Sequence, residues 1–350
     1  MIPESAPRAV RMTSRVPEVD LEQLAAGKPG REKALEKLRA AAHDSGAFYL
    51  VGHGVEGSLF ESVYAAARRL FELPHAELDA IAMLQSPHFR GYTRVGDERT
   101  LGQPDLREQL DVGFEHGARR RDDAADYYLL DGPNQWPEAL PELAPVILGW
   151  MRRLEPVAAR LLSALTESMG LAPDVFAAAF SPDPYVNLKI VHYPARSGDS
   201  SAQGVGSHKD YGFLTLLIQD GVGGLQILVD GEFVDVVPKR DALVVNLGEM
   251  LEIATNGFLT ATVHRVVSPP AGVDRISVPY FYNPRLDYTV VRLKLPEEFA
   301  REARLVPDAS NPIFAEFGRN AMRGWFRSHP TVAQRHHPDL VRHSSEKPEE

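Results

Sequence analysis

The chain has 350 residues, of which 44% are hydrophobic and 25% are charged, and this composition is typical of a globular protein that can bury a large core. Its formal net charge of −10 argues against a general nucleic-acid-binding role, because phosphate contacts need a basic face. It contains no cysteine, so disulfides, iron–sulfur clusters and thiolate zinc sites are excluded, and any metal must bind to His, Asp or Glu.

The sequence shows no targeting or membrane-spanning signal. It has no run of about 18 apolar residues, which is the length that a spanning helix needs. The polar arm that we expect at residues 1–15 lacks the apolar stretch of a secretory signal. We therefore expect a cytoplasmic protein without a membrane or nucleic-acid partner, and the sequence leaves the oligomeric state open.

The first region, residues 1–135, is predicted to be mostly helical. Residues 31–45 and 59–73 are rich in helix-favouring residues, with apolar positions three and four apart. Between them, the apolar run 47–51 stops at a Gly-His-Gly turn and predicts a strand. Residues 86–135 are irregular, with Gly, Pro, Arg and Asp throughout, and such a loop-rich stretch often forms a lid or a binding segment.

The second region, residues 136–182, is predicted to consist of long helices that pack on the core. Its strongest pattern runs from Leu143 to Met169, where apolar residues recur three or four apart, and Gly170 suits the helix end. Pro156 lies inside this pattern. Because proline lacks a backbone donor, we expect it to kink the helix or to split it.

The third region, residues 183–295, is predicted to be a β core, since short β-rich runs alternate with turns. Strands at this spacing indicate a sandwich or a barrel. The fourth region, residues 296–350, is predicted to contain a helix over residues 311–327 and to end in a polar tail at residues 344–350. The predicted strands of the β core cover residues 186–193, 214–218, 225–229, 233–237, 242–247, 262–267 and 275–282.

The most informative residues of the β core are His208, Asp210 and His264. Residues i and i+2 of a strand face the same side, so His208 and Asp210 can both point into a barrel. His264 follows His208 by 56 residues (264 − 208), which leaves room for about four or five strands between them. Two imidazoles and one carboxylate form a ligand set that holds a divalent metal on one face and leaves the other face open. These ligand types suit iron, manganese, cobalt, nickel or zinc.

A pair that can clamp a carboxylate follows the third candidate ligand. Arg275 and Ser277 share one strand face by the same spacing of two, and strand pairing could place them beside His264. The guanidinium fork matches a carboxylate bidentately, and the hydroxyl adds one more donor. The alternative for Arg275 is a surface ion pair, for example with Asp274.

The order His208-Lys209-Asp210, His264, Arg275-Ile276-Ser277 resembles the iron(II)/2-oxoglutarate-dependent oxygenases of the isopenicillin-N-synthase-like family. The stretch 86–100 resembles bacterial members in particular. This resemblance implies a mixed α/β protein with a mainly β core, in which a double-stranded β-helix (a jelly roll, cupin-like) is flanked by helices and preceded by a helical N-terminal region. It implies that residues 183–295 form the oxygenase core. Further segments that resemble the family are residues 16–21, 46–55, 212–217, 223–226 and 246–251.

The resemblance also implies roles for single residues. Fe(II) is expected to bind to the two histidines and to Asp210, with 2-oxoglutarate and O2 as cosubstrates. Arg275 and Ser277 resemble the anchor for the distal carboxylate of 2-oxoglutarate. Tyr193 matches a family tyrosine whose hydroxyl reaches the same cosubstrate. Many relatives carry Asn two residues before this tyrosine, but here the position is Val191, so that polar contact is absent.

The activity that the resemblance implies is the oxidation of a small organic molecule of specialised metabolism, by hydroxylation, desaturation or cyclisation, with release of succinate and CO2. Substrate contacts are predicted from Phe89, Arg90 and Tyr92, which would put the loop-rich segment on the substrate side. Phe281, in the last predicted strand, is the fourth candidate. The alternative for each of these side chains is plain packing or a solvated surface.

Three other functions remain open. An iron oxidase of the isopenicillin-N-synthase type needs the same five residues but draws its electrons from its own substrate, without 2-oxoglutarate. A non-catalytic binding protein on the same scaffold is a second alternative, although such relatives usually lose a metal ligand or the arginine. A zinc hydrolase would explain the metal ligands but not Arg275 and Ser277.

Overall fold

The computed structural model describes residues 16–119, 124–196, 203–306 and 311–343 of the chain. The predicted polar arm at residues 1–15 and the predicted polar tail at residues 344–350 lie outside these ranges. None of the helices in the described ranges combines the length and the apolar character that a bilayer-spanning segment needs.

Nine α-helices lie in the described ranges, and the two predicted N-terminal helices correspond to α1 and α2 as numbered here. The helices are α1 (Arg31–Asp44), α2 (Gly57–Phe71), α3 (His75–Ala80), α4 (Leu143–Ser168), α5 (Glu249–Ala254), α6 (Glu297–Ala300), α7 (Phe317–Ser328), α8 (Pro330–His336) and α9 (Pro338–His343).

The strands of the described ranges fall mostly in the predicted β core. They are β1 (Glu18–Asp20), β2 (Ala47–Val51), β3 (Gly91–Thr93), β4 (Arg99–Thr100), β5 (Gln103–Pro104), β6 (Glu108–Gly113), β7 (Tyr185–Tyr193), β8 (Gln203–His208), β9 (Leu214–Gln219), β10 (Leu225–Val229), β11 (Glu232–Asp235), β12 (Leu243–Leu247), β13 (His264–Val267) and β14 (Arg275–Asn283).

Two sheets with mostly antiparallel strands make up the core, and the β4–β5 hairpin forms a separate two-stranded sheet that contacts β8. The large sheet has eight strands in the order β1-β2-β12-β9-β14-β7-β6-β3, and the small sheet has four in the order β11-β10-β13-β8. Apolar side chains from both sheets pack together between them. The sheets therefore enclose a common interior, and this is the double-stranded β-helix that the resemblance implies.

The long helix α4 supports the large sheet. It contacts β14 and β9, while α1 and α2 pack against its other sides. Its apolar positions, spaced three or four apart, are buried from Leu143 to Leu165. The expected split at Pro156 does not occur, because α4 continues through it as one helix of 26 residues. Pro156 is exposed, so its missing backbone donor lies on the side of α4 that faces away from the core.

The segment 86–135 contains more regular structure than its sequence predicts. β6 is buried along its whole length and pairs with β7, and β3 pairs with β6, so both strands extend the large sheet. β6 is hard to recognise in the sequence because it carries buried charged groups, which are neutralised by partners from elsewhere in the chain. One of these groups is Asp111, which is fully buried and pairs with Lys189 at 2.9 Å. A sequence pattern cannot show such pairing in advance.

The C-terminal helix begins later than the sequence predicts. α7 covers Phe317–Ser328, and residues 311–316 are not helical. α7 contacts the β4–β5 hairpin, and both elements line the end of a cavity that opens into the barrel. Helix and hairpin therefore form the rim of this cavity.

The support that α4 gives to the barrel is tested by Leu161→Ala. Leu161 is fully buried in α4, so the loss of its side chain should lower the free energy of unfolding by about 2–5 kcal/mol, measured by urea denaturation. Arg160→Ala, at the neighbouring exposed position of the same helix, should change it by only about 0.5 kcal/mol. Equal effects of the two substitutions would contradict the packing described here.

Candidate active site

Strand pairing brings the three predicted metal ligands together. His208 ends β8 and His264 begins β13, and the two residues lie directly opposite each other in the antiparallel pair. Asp210 lies two residues after β8, before β9 begins. One ligand atom from each of the three residues lies within 4.8 Å of the other two.

Both imidazoles are oriented by backbone carbonyls. His208 Nδ1 donates to the carbonyl of Gly206 (2.8 Å), and His264 Nδ1 donates to the carbonyl of Thr262 (3.1 Å). A carbonyl only accepts, so Nδ1 is the donor in each pair, and in a neutral imidazole Nε2 then carries the lone pair. Each Nε2 lies 3.8 Å from Asp210 Oδ1. Withdrawal from water and the neighbouring His264 lower the pKa of His208 to about 4, which keeps this imidazole neutral and able to bind a metal.

Asp210 is held through both its carboxylate and its backbone carbonyl. Thr215 Oγ1, on β9, donates to Asp210 Oδ2 at 2.6 Å, and the backbone N–H of Glu249 donates to the carbonyl of Asp210 at 2.8 Å. A Cβ at Gly248 would lie 2.3 Å from the carbonyl oxygen of Gly212, so only glycine allows the start of α5 to approach this turn. Two imidazole nitrogens and one carboxylate oxygen, fixed by their own partners, fit a divalent ion such as Fe(II).

Arg275 is a buried cation without a carboxylate partner among the described residues. It is 1% exposed, and its Nη1 and Nη2 donate to Ser277 Oγ and Gln219 Oε1, both at 3.2 Å. Its Nε has no hydrogen-bond partner among those residues. The alternative of an ion pair with Asp274 fails, because that carboxylate accepts from the backbone of Ala195 (2.6 Å) and contacts a histidine instead. A buried guanidinium with free donors fits an anionic ligand.

Tyr193 lies next to this guanidinium. Its side chain is 2% exposed, and the centre of its ring is 4.8 Å from Arg275 Cζ, with Arg275 and Tyr193 paired across β14 and β7. Val191, on the same side of β7, pairs with Ser277 across the same two strands. The part of the interior next to Arg275 is therefore lined by Tyr193 and by the apolar side chain of Val191.

One cavity of about 290 Å³ connects the three candidate ligands with Arg275, Ser277 and Tyr193. Phe281, on β14, also lines this cavity, and its contact with a substrate stays a prediction. The apolar part of the wall comes from both sheets, through Val191, Leu217, Leu225 and Val266.

The other three predicted substrate contacts need correction, because they lie in the packed interior and do not line the cavity. Phe89 is fully buried among aromatic rings of α7 and a histidine that follows α8. Arg90 is 2% exposed and donates to the carbonyl of Leu130 at 3.2 Å, while Tyr92 donates to Glu108. The packing alternative is therefore correct for all three residues.

Two sequence profiles match this chain over more than half of its length. The profile described as "non-haem dioxygenase in morphine synthesis N-terminal" matches residues 16–139, and that of the 2OG-Fe(II) oxygenase superfamily matches residues 185–284. The chain belongs to the 2OG-Fe(II) oxygenase superfamily. The second match contains all six residues that the sequence predicts to bind metal and cosubstrate.

Named relatives of this oxygenase agree with the profiles. It is 32% identical to homoarginine-6-hydroxylase 2-ODD-C23 of Glycine max over 275 residues, which make up 75% of this chain and 81% of that protein. It is 36% identical to the 2-oxoglutarate-dependent dioxygenase frbJ of Dothideomycetidae sp. over 288 residues, or 81% of this chain and 77% of that protein.

Solved structures of other proteins share the fold of this oxygenase. A 2OG-Fe(II) oxygenase family protein from Caulobacter crescentus, 26% identical, aligns with a TM-score of 0.71 over 89% of this chain and 99% of that one. A dioxygenase for auxin oxidation from rice, 27% identical, aligns with a TM-score of 0.65 over 91% of this chain and 99% of that one. The predicted fold class is thereby confirmed.

The activity class follows from the family and the named relatives. The protein is an oxidoreductase, a dioxygenase that depends on Fe(II), 2-oxoglutarate and O2. The predictions of family, activity and cofactors are confirmed, in preference to the 2-oxoglutarate-independent oxidase and to the non-catalytic binding protein.

Sequence reasoning missed two residues that position the others. Thr215 binds the carboxylate of Asp210, and Gln219 binds the guanidinium of Arg275. Both lie on β9 with a spacing of four, so they share one strand face. Their spacing was the available signal in the sequence. It shows that the two side chains share a strand face, but it does not show which site residues they contact.

The role of Thr215 gives a direct prediction. Thr215→Val keeps the shape of the side chain but removes the hydroxyl that donates to Asp210, so the affinity for Fe(II) should fall by about 10- to 100-fold. Anaerobic metal titration with Fe(II), or with Mn(II) in its place, measures this change. Thr215→Ser retains the hydroxyl and should bind metal almost as well as the unaltered protein. Equal affinities of the Val and Ser variants would show that this hydrogen bond does not support the site.

Proposed function

We propose that this oxygenase binds Fe(II) through Nε2 of His208, Nε2 of His264 and the carboxylate of Asp210, and that Arg275, Ser277 and Tyr193 hold the distal carboxylate of 2-oxoglutarate. The observation that carries the proposal is the buried, unpaired guanidinium of Arg275 in the same cavity as the three ligands. A buried cation of this kind is costly unless an anion completes it.

The bound iron and 2-oxoglutarate supply the oxidising chemistry, in which the cosubstrate yields succinate and CO2 while the substrate is oxidised. The chain supplies binding and orientation. The carbonyls of Gly206 and Thr262 keep both imidazoles in the tautomer that presents Nε2, and Thr215 fixes the carboxylate. Arg275 sets the direction of the cosubstrate from the far end of the cavity.

The apolar wall gives the chain a further role. The walls around the cosubstrate end are Val191, Leu217, Leu225 and Val266, from both sheets. They exclude water from the cavity, which strengthens the contact of Arg275 with an anion and protects reactive species from side reactions.

We propose hydroxylation of an unactivated C–H bond in a small organic molecule as the reaction. The size of the cavity suits such a substrate, and relatives in Glycine max, Arabidopsis thaliana and Oryza sativa are named homoarginine-6-hydroxylases, at 30–32% identity. Phe281 would contact the substrate. Desaturation and cyclisation use the same site, and a role in specialised metabolism, a cytoplasmic location and the four regions drawn from the sequence stay predictions.

The proposal is tested by turnover in the presence and absence of each cosubstrate. Purified protein with Fe(II), O2 and 2-oxoglutarate should release succinate and CO2, and protein stripped of metal by a chelator should do so only after Fe(II) is returned. Asp210→Ala should abolish succinate formation while the circular dichroism spectrum stays native. Substrate-stimulated O2 uptake that needs no 2-oxoglutarate would instead favour the oxidase, and an active Asp210→Ala variant would show that the ligand assignment is wrong.

The role of Arg275 gives a second prediction. Arg275→Gln removes the charged fork, so KM for 2-oxoglutarate should rise by about 10- to 100-fold, the equivalent of one lost charge-assisted contact. Arg265→Gln is the matched control, since Arg265 lies on β13, bonds to Gln226 at 2.8 Å and does not line the cavity. Initial rates of succinate formation at varied 2-oxoglutarate provide the measurement. An unchanged KM in Arg275→Gln would contradict the proposed anchor.

A further inference from the structure

Four of the charged side chains that line the cavity are already neutralised by ion pairs within the protein. Glu98 contacts Arg107 at 2.7 Å and Lys189 at 3.0 Å, and all three are largely buried. Lys209 pairs with Glu252 at 3.0 Å. Because these charges are already paired, a ligand would gain little binding free energy by breaking the ion pairs.

Three arginines at the rim of the cavity differ from this pattern. Arg99 lies on the β4–β5 hairpin, and Arg323 and Arg327 lie on α7, and all three line the cavity. No carboxylate of the described residues comes within 4.0 Å of any of them. Arg323 donates to the amide oxygen of Asn320 at 3.4 Å and lies 4.8 Å from the centre of the Phe314 ring, and Arg327 donates to the amide oxygen of Asn311 at 2.7 Å. The rim is therefore a cationic surface on a protein whose net charge is −10.

The spacing along α7 adds to the charge at this rim. Arg319, Arg323 and Arg327 follow one another at intervals of four, so like charges are stacked along one helix face, which is unfavourable without a counter-ion. Arg323 is half-buried, and this burial together with Arg327 lowers its pKa to about 10. Arg319 stacks over the Phe314 ring at 4.0 Å and does not line the cavity.

Glu249 is the nearest candidate for a counter-ion inside the cavity, but it forms no ion pair with Arg323. Glu249 lines the cavity and is 9% exposed, and its charge favours the Arg323 cation, yet no oxygen of Glu249 lies within 4.0 Å of that guanidinium. The donors of Arg323 and Arg327 therefore remain available to a molecule that enters from the rim.

We propose that the primary substrate carries an anionic group, a carboxylate, that binds to Arg323 and Arg327 at the rim while the carbon to be oxidised reaches the metal triad. Arg99 completes the rim from the hairpin side. This inference rests on the proposed function, and it names the substrate class for the same site. A guanidinium pair recognises a carboxylate through charge-assisted hydrogen bonds, and a local positive rim on an acidic protein also draws anions toward the cavity.

The inference is tested with pairs of probes that differ only in charge: phenylacetate and phenylacetamide, 4-phenylbutyrate and 4-phenylbutanamide, and indole-3-acetate and indole-3-acetamide. Binding to the full chain, loaded anaerobically with Mn(II) and 2-oxoglutarate, is measured by isothermal titration calorimetry. At least one acid should bind about tenfold or more tightly than its amide. Arg323→Gln combined with Arg327→Gln should weaken that acid by about 10- to 100-fold and remove its preference over the amide.

Two control variants make the test specific. Arg319→Gln removes an arginine of the same helix face that lies outside the cavity, and it should retain the preference for the acid. Arg323→Lys combined with Arg327→Lys keeps both charges but loses the planar forks, so it should retain part of that preference.

Several results would overturn the inference. They are equal binding of acid and amide, binding of neither member of any pair, or a preference for the acid that survives in the double Gln variant. Weaker 2-oxoglutarate binding in the double Gln variant, by the same factor, would show that the rim serves the cosubstrate instead. Failure of the unaltered protein to bind Mn(II) and 2-oxoglutarate would contradict the proposed function itself, and the inference with it.

Discussion

The antiparallel pairing of β8 with β13 is the constraint on which the candidate active site depends. It places His208 opposite His264, although 56 residues (264 − 208) separate them along the chain. Backbone carbonyls two residues before each histidine then orient both imidazoles through Nδ1. As a result, Nε2 of each ring lies 3.8 Å from Asp210 Oδ1. The register of the small sheet therefore sets the geometry of the ligands, while α4 packs on the large sheet of the same barrel, against β9 and β14.

The second constraint is the buried positive charge of Arg275, which has no carboxylate partner among the described residues. Arg275 is held inside the barrel by neutral partners only, Ser277 and Gln219, in a cavity with apolar walls. Folding alone would favour either an apolar residue or an internal carboxylate at this position, since a buried unpaired cation lowers stability. We propose that a ligand completes this arrangement, and 2-oxoglutarate, which this superfamily uses, carries a suitable carboxylate.

The sequence predicted the parts of the molecule that depend on chemistry at fixed spacing. The two His-containing stretches, Arg275 and Ser277 could be found because metal ligands and carboxylate clamps need particular residue types on one strand face. It failed for Phe89, Arg90 and Tyr92, which have the composition of a binding loop but are buried by α7 and β6. Thr215 and Gln219 were also missed, because their roles arise from contacts with Asp210 and Arg275 that no local pattern records.

We propose that one ferrous ion lies between His208, Asp210 and His264. An anomalous difference map can locate this ion directly. Crystals of the protein grown anaerobically with Fe(II) and measured at the iron absorption edge should show a single strong peak. We expect this peak to lie within bonding distance of Nε2 of each imidazole and of a carboxylate oxygen of Asp210. A peak elsewhere in the chain, bonding through Nδ1, or a protein that takes up no iron at this position would contradict it.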